Sequence, residues 1–136
     1  MAVRHYVLLA TDGFVDLPND AEVCTTNREK IYVWGFVGGL FKVDGEVVKE
    51  NEYLDWKNPK NWKTLMDLKG TATLPSPIMW ADVGDRIYVT LINLGMEYRP
   101  DLPDFHTIHM HGAHVATQLD GFPETSFGVP MWMEPD

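Results

Sequence analysis

The sequence has little sulfur chemistry and few positive charges. Cys24 is the only cysteine among 136 residues, so no disulfide can form within the chain and no cysteine-rich metal site can be built. Because no histidine lies near it, we expect Cys24 to be a structural or incidental thiol. Lysine and arginine number 11 against 20 acidic residues. The resulting net charge of −9 argues against a nucleic-acid partner, and it favours an acidic, soluble surface that is compatible with cations.

Long apolar runs, internal repeats and low-complexity linkers are also missing. No stretch approaches the roughly 18 apolar residues that a membrane helix needs, so no membrane span is predicted. Residues 1–10 contain one Arg before a short apolar run, which is not a convincing signal-peptide pattern. The composition is 45% hydrophobic and 12% aromatic, which predicts a folded core rather than disorder. We therefore expect a single domain spanning residues 1–136.

The readable elements are short strands separated by turns. Residues rich in β-formers predict strands at 5–10, 31–37 and 86–94. We expect Thr-Asp-Gly to end the first strand and Gly-Gly to end the second. An Asp-Gly pair at 44–45 predicts a hairpin, and residues 62–68 predict a short helix with Trp62, Leu65 and Met66 on one side. This organisation is typical of an all-β sandwich or barrel.

Four of the five histidines lie in residues 105–114, a stretch that reads as a strand. Because side chains alternate in a strand, His109 and His111 share a face about 6.6 Å apart. His106 and His114 reach that face only if a bulge intervenes. Imidazole is a common ligand for copper and zinc, so the pair predicts either one metal or two neighbouring metals. A bare His-x-His also occurs by chance, and surface or hydrogen-bonded core histidines are the alternative.

Flanking segments add a family resemblance to the histidine pair. Residues 83–94, the Thr-Ile-His-Met-His-Gly block at 107–112 and the Asp-Gly-Phe-Pro turn at 120–123 resemble the first cupredoxin domain of multicopper oxidases. Upstream, His-Tyr at 5–6 and residues 33–38 resemble ceruloplasmin-type chains, with bacterial manganese oxidases among the candidates. The resemblance implies an all-β, cupredoxin-like Greek-key β-sandwich or barrel, cut short before its last strands.

The resemblance also implies roles for individual residues. His109 takes the position of a type 2 copper ligand, and His111 takes that of a ligand to one of the paired type 3 coppers. Asp120 matches an acidic residue that moves protons during dioxygen reduction, which suits a positioned carboxylate. The alternative for Asp120 is a turn residue before glycine. The family usually has Trp where this chain has Met110, a position expected to face away from the metal.

Two further histidines match no ligand of the family. His106 and His114 are therefore expected to be surface side chains or neighbours of the ligands. Only one of the four His-x-His motifs of a trinuclear cluster is present, and no Cys-His segment supplies a type 1 copper site. We expect this chain alone to be inactive, with the remaining cupredoxin domains, in the same or another chain, as its partners.

The missing strands lead to one expectation about association. An unpaired sheet edge, with apolar surface near residues 131–133, predicts self-association.

In the complete enzyme, a metal ion such as Mn(II) or Fe(II), or a phenol, would be oxidised at a type 1 copper outside this chain. Dioxygen would be reduced at the shared site, and the family implies an extracytoplasmic location.

Two other functions are alternatives to the oxidase. One is a non-catalytic cupredoxin-like module that binds copper or another metal or serves in assembly. The other is a copper nitrite reductase, which the His-x-His-Gly block fits poorly.

Overall fold

One mixed β-sheet organises the chain, seen in a computed structural model that describes residues 1–17, 29–102 and 104–122. Its strands are β1 (Val3–Leu17), β2 (Glu29–Val43), β3 (Glu46–Val47) and β4 (Arg86–Asn93). Their order is β3-β2-β1-β4, with β1 antiparallel to β2 and parallel to β4.

Helix makes up little of the described part of the chain. It comprises α1 (Trp62–Met66) and 3₁₀ helices at Lys49–Leu54, Pro59–Asn61 and Thr117–Leu119. The prediction of a mostly β protein is therefore confirmed. The Greek-key arrangement is a finer statement that stays a prediction.

β1 continues through the Thr-Asp-Gly sequence that was expected to end it. Asp12 is fully buried, and its carboxylate accepts a hydrogen bond of 2.8 Å from the Tyr32 hydroxyl on the neighbouring strand. Gly13 lies so close to Ala72 that an added Cβ would sit 2.7 Å from the Ala72 carbonyl oxygen. Asp12 and Gly13 therefore make close contacts inside the fold as part of a continuous strand. The expectation that the strand ends here was wrong.

β2 likewise continues through its Gly-Gly pair. Gly38 has φ +111°, and a Cβ at this position would overlap the carbonyl oxygen of Val7 on β1. Only glycine adopts this backbone freely and permits the close approach of the two strands. The glycine thus belongs inside a long strand, and the predicted break at this point was wrong.

Three other predicted elements are confirmed. The hairpin between β2 and β3 turns at Asp44 and Gly45, which have φ of 51° and 89°, as a turn with two left-handed central residues requires. The helix predicted at 62–68 is α1, which ends two residues earlier, at Met66. The strand predicted at 86–94 is β4, which stops one residue earlier.

The core lies against one face of the sheet, under the segment that contains the first 3₁₀ helix and α1. Its buried members come from β1, β2, both of these helices and the residue that follows β4: Val7, Leu9, Phe41, Leu54, Leu65 and Leu94. The alternate residues of β1, including Tyr6 and Leu8, are also buried. Both faces of β1 are therefore covered, as expected for the central strand that carries most of the pairing.

The histidine stretch at 105–114 was predicted to be a strand, and that prediction was wrong. It contains one isolated bridge residue, His106, and a turn at 111–112. Among the described residues this segment bonds to the loop at 120–122, as shown by the Thr107 hydroxyl, which donates to the Gly121 carbonyl at 3.2 Å. Residues 107–114 have no strand conformation, so the strand parity argument does not apply to these histidines.

Some predictions fall on residues outside the described ranges. Cys24, Pro123 and the apolar residues 131–133 are among them, so their roles stay predictions.

Within the described ranges β4 is an outer strand of the sheet. None of the helices in this part of the chain has the length and apolar character needed to cross a bilayer.

Candidate metal site

His109 and His111 lie side by side in the loop that follows β4. Their ring centroids are 4.6 Å apart, and the ring planes meet at 76°. Both residues are exposed, so an ion from solvent can reach them. The pairing that was predicted from a strand is thus achieved by a loop, and two adjacent imidazoles are a donor set that suits copper or zinc.

The Asp120 segment fixes the orientation of the His109 ring. Nδ1 of His109 lies 2.8 Å from the carbonyl oxygen of Asp120. Because a carbonyl can only accept, this contact requires a proton on Nδ1 and leaves the lone pair on Nε2. A backbone carbonyl that holds one ring nitrogen in this way is the usual arrangement behind a metal-binding histidine.

The Asp120 carboxylate lies beside the same ring. Its Oδ1 is 3.0 Å from Nδ1 of His109, but it lies off the N–H direction and accepts no hydrogen bond from the described residues. The Asp120 side chain is 26% exposed, so the carboxylate is partly screened from water. The Asp120 amide donates to the Thr117 carbonyl at 3.2 Å and Gly121 has φ 79°, so both roles of Asp120, proton carrier and turn residue, stay predictions. A negative charge here would favour a cation on or near the histidine pair.

His106 has a different role from the pair. It is only 9% exposed, its Nδ1 lies 2.8 Å from the Asp104 carbonyl, and its ring centroid is 6.4 Å from those of Trp34 and Phe36 on β2. Its Nε2 is buried and has no hydrogen-bond partner among residues 1–17, 29–102 and 104–122. Of the two alternatives expected for His106, the surface side chain is therefore wrong, and the neighbour of the ligands stays a prediction. The ring attaches the histidine loop to the sheet. His114 is exposed, as expected.

The pair forms only part of a coordination sphere. Within the described stretches, no three His, Cys, Asp or Glu side chains lie close enough together to hold a metal ion. The two imidazoles fit copper by the chemistry of their nitrogens. A complete site on this pair requires further donors from elsewhere.

An ionic cluster beside the first residue of β4 was not predicted from the sequence. Asp85 accepts hydrogen bonds from the Ala2 amide at 2.6 Å and from Nε of Arg4 at 2.8 Å. These bonds, with that from the Ala2 amide foremost, lower the pKa of Asp85 to about 2. Arg4 in turn stacks on Trp80, with its guanidinium carbon 3.7 Å from the ring centroid. The cluster joins the start of β1 to the turn before β4.

Comparison with models of known protein families, with curated proteins and with solved structures finds no match to this chain. The family resemblance therefore depends on the His-x-His-Gly block and the segments on either side of it. The multicopper oxidase function is accordingly a proposal.

Proposed function

We propose that this chain is the first part of a multicopper oxidase and contributes His109 and His111 to a trinuclear copper site. The observation that carries the proposal is the contact between the two imidazoles, 4.6 Å between centroids, with Nδ1 of His109 held by the Asp120 carbonyl at 2.8 Å. This arrangement presents nitrogen lone pairs at one place on an accessible surface. Bound copper would supply the one-electron chemistry that dioxygen reduction to water requires.

Each residue of the site would have the role that the family resemblance implies. His109 would hold the type 2 copper, and His111 would hold one of the type 3 coppers. The 4.6 Å separation of the rings is compatible with two neighbouring ions as well as with one. Asp120, whose Oδ1 lies 3.0 Å from Nδ1 of His109, would hold and pass on protons that oxygen reduction consumes.

The remaining ligands would come from other cupredoxin domains, in the same or another polypeptide. The substrate, Mn(II), Fe(II) or a phenol, would be oxidised at a type 1 copper that this chain does not carry, because its only cysteine is followed by threonine. The isolated chain is accordingly expected to show no complete dioxygen-reducing turnover.

A non-catalytic copper-binding or assembly module is the second candidate. The observation that favours it is the low donor count, since no group of three donors occurs in the ranges that the structure describes. A module of this kind would bind a single ion through the pair and would have no oxygen chemistry.

Dioxygen uptake and copper content of the complete assembly distinguish the two candidates. Variants His109→Gln and His111→Gln in that assembly should each abolish uptake and lower the copper content, while His114→Gln, an exposed neighbour, should change neither. Unchanged uptake in both ligand variants would overturn the oxidase proposal. A copper-loaded assembly that holds one mononuclear ion and consumes no dioxygen would establish the module instead.

A further inference from the structure

A cavity of about 590 Å³ opens beside α1, on the side away from the Asp85 cluster. Its walls are mainly apolar and aromatic, with Trp56, Trp62, Leu65, Met66 and Met96 among them. Cavities of roughly 300–1,000 Å³ with apolar walls and a few polar groups are the usual form of small-molecule sites. The proposed copper function makes no use of this cavity.

The wall formed by the loop after β4 is held firmly in place. The buried hydroxyl of Thr11 donates to the Gly95 carbonyl at 2.8 Å. The buried Asp12 carboxylate accepts from the amides of residues 97 and 98 at 2.8 and 2.9 Å. At the far end of this wall, the Asn93 side-chain amide donates to the Asp104 carbonyl. Three of these bonds attach the wall to β1, and the fourth attaches residue 104 to the end of β4.

The mouth of the cavity displays apolar surface that a ligand would cover. Trp62 is 57% exposed and Met66 is 47% exposed. The indole nitrogen of Trp62 donates to the Trp56 carbonyl at 2.9 Å, so the polar part of the ring is satisfied and its orientation is fixed. A rigid aromatic face of this kind favours stacking against another planar ring.

Two residues of opposite charge, Lys69 and Asp104, also line the cavity. The lining therefore has no net formal charge, and its apolar walls disfavour a ligand with a net charge. A hydroxyl group suits both, because it accepts a hydrogen bond from an ammonium group and donates one to a carboxylate.

We propose that this cavity binds an uncharged aromatic molecule of one or two rings that carries a hydroxyl group. The rings would lie between Trp62 and the buried floor at Leu65, and the hydroxyl would face Lys69 and Asp104. The site is independent of copper.

Titration of the copper-free chain with 2-naphthol, followed by calorimetry and by naphthol fluorescence, tests the proposal. Wild type should show saturable binding of one molecule per chain. Trp62→Ala should weaken binding about tenfold, since it removes a stacked ring from the mouth. Met66→Ala, at an exposed position less critical for folding, should weaken it about threefold. The matched control is Trp80→Ala, because Trp80 is 53% exposed and lies outside the cavity walls, and it should leave the affinity unchanged.

Ligand analogues test the chemical class. Naphthalene, which lacks the hydroxyl, and the anion 2-naphthoate should both bind more weakly than 2-naphthol, and Lys69→Met should reduce the preference for 2-naphthol over naphthalene. The proposal is overturned by the absence of saturable binding to wild type, or by equal affinities in wild type, Trp62→Ala and Met66→Ala. It is also overturned if 2-naphthoate binds as tightly as 2-naphthol.

Discussion

Asp12→Asn should destabilise the protein strongly, because Asp12 joins β1, β2 and the loop that leads to the histidines. The side chain is fully buried in β1. One carboxylate oxygen accepts from the amide of Glu97 at 2.8 Å. The other accepts from the amide of Tyr98 at 2.9 Å and from the Tyr32 hydroxyl at 2.8 Å. Asparagine has the same shape but only one acceptor oxygen.

The magnitude follows from that count of acceptors. If the asparagine oxygen keeps the two bonds to Tyr98 and Tyr32, its NH₂ group faces the Glu97 amide, and two donors are left without an acceptor. Loss of one bond to a charged acceptor costs about 1.5–3 kcal/mol, and the unsatisfied donors and the weakened remaining bonds add to it. We expect a total loss of about 3 kcal/mol in the free energy of unfolding.

Urea unfolding followed by tryptophan fluorescence measures this loss. Asp16→Asn is the matched control, because Asp16 lies four residues further along β1 and is exposed. That control should change the free energy of unfolding by less than about 0.5 kcal/mol. A double-mutant cycle with Tyr32→Phe should give a coupling of about 1 kcal/mol. If Asp12→Asn costs no more than the control, the role given to this carboxylate is wrong.

Three further substitutions test other parts of the fold. Asp85→Asn removes a carboxylate whose pKa is lowered to about 2, so the stability that Asp85 contributes is present above its unfolded pKa near 4 and is lost as the pH falls toward 2. The variant should be less stable than wild type at pH 7, with the gap closing between pH 4 and 2 in denaturant titrations, and a constant gap would contradict this. His106→Ala should cost about 2–3 kcal/mol through lost ring packing, whereas His106→Phe should stay within about 1 kcal/mol of wild type. Phenylalanine keeps a ring and removes Nε2, which has no partner among the described residues. Thermal unfolding that ranks the two variants the other way round would refute that reasoning. Gly38→Ala should cost at least about 3 kcal/mol from overlap with β1, against about 1 kcal/mol for Gly45→Ala, whose Cβ would meet open space, and equal melting temperatures would refute the difference.

Local sequence signals identified the elements whose causes are themselves local. The Asp44-Gly45 hairpin is confirmed because two left-handed residues suffice to make that turn. Strand β4 was predicted from its β-forming residues, and α1 from the spacing of Trp62, Leu65 and Met66. All three of these side chains line the cavity, so the helical spacing was a usable sign of it.

Errors occurred where distant segments determine the structure. Gly38 and Gly13 resemble strand ends, but each glycine serves close packing against a segment that the sequence does not place beside it. Asp12 has the polarity of a turn residue, yet its three donors lie 20, 85 and 86 residues away.

The histidine loop shows the same limit at the candidate site. Its alternation predicts a strand, while its contacts with residues 120 and 121 hold it as a loop. The proximity of His109 and His111 was nevertheless predicted, because residues two apart can meet in either conformation. The burial of His106 depends on Trp34 and Phe36, about 70 residues earlier, and no local pattern reveals it.

Pulsed electron paramagnetic resonance of this chain with one equivalent of Cu(II) tests most directly whether His109 and His111 bind copper. Wild type should show modulation from imidazole nitrogen, and His109→Gln and His111→Gln should each reduce it, while His114→Gln should leave the spectrum unchanged. A His109→Gln/His111→Gln double variant should lose the copper signal at this site altogether. An unchanged imidazole signal in that double variant, or its loss in His114→Gln alone, would contradict the assignment of this pair as copper ligands.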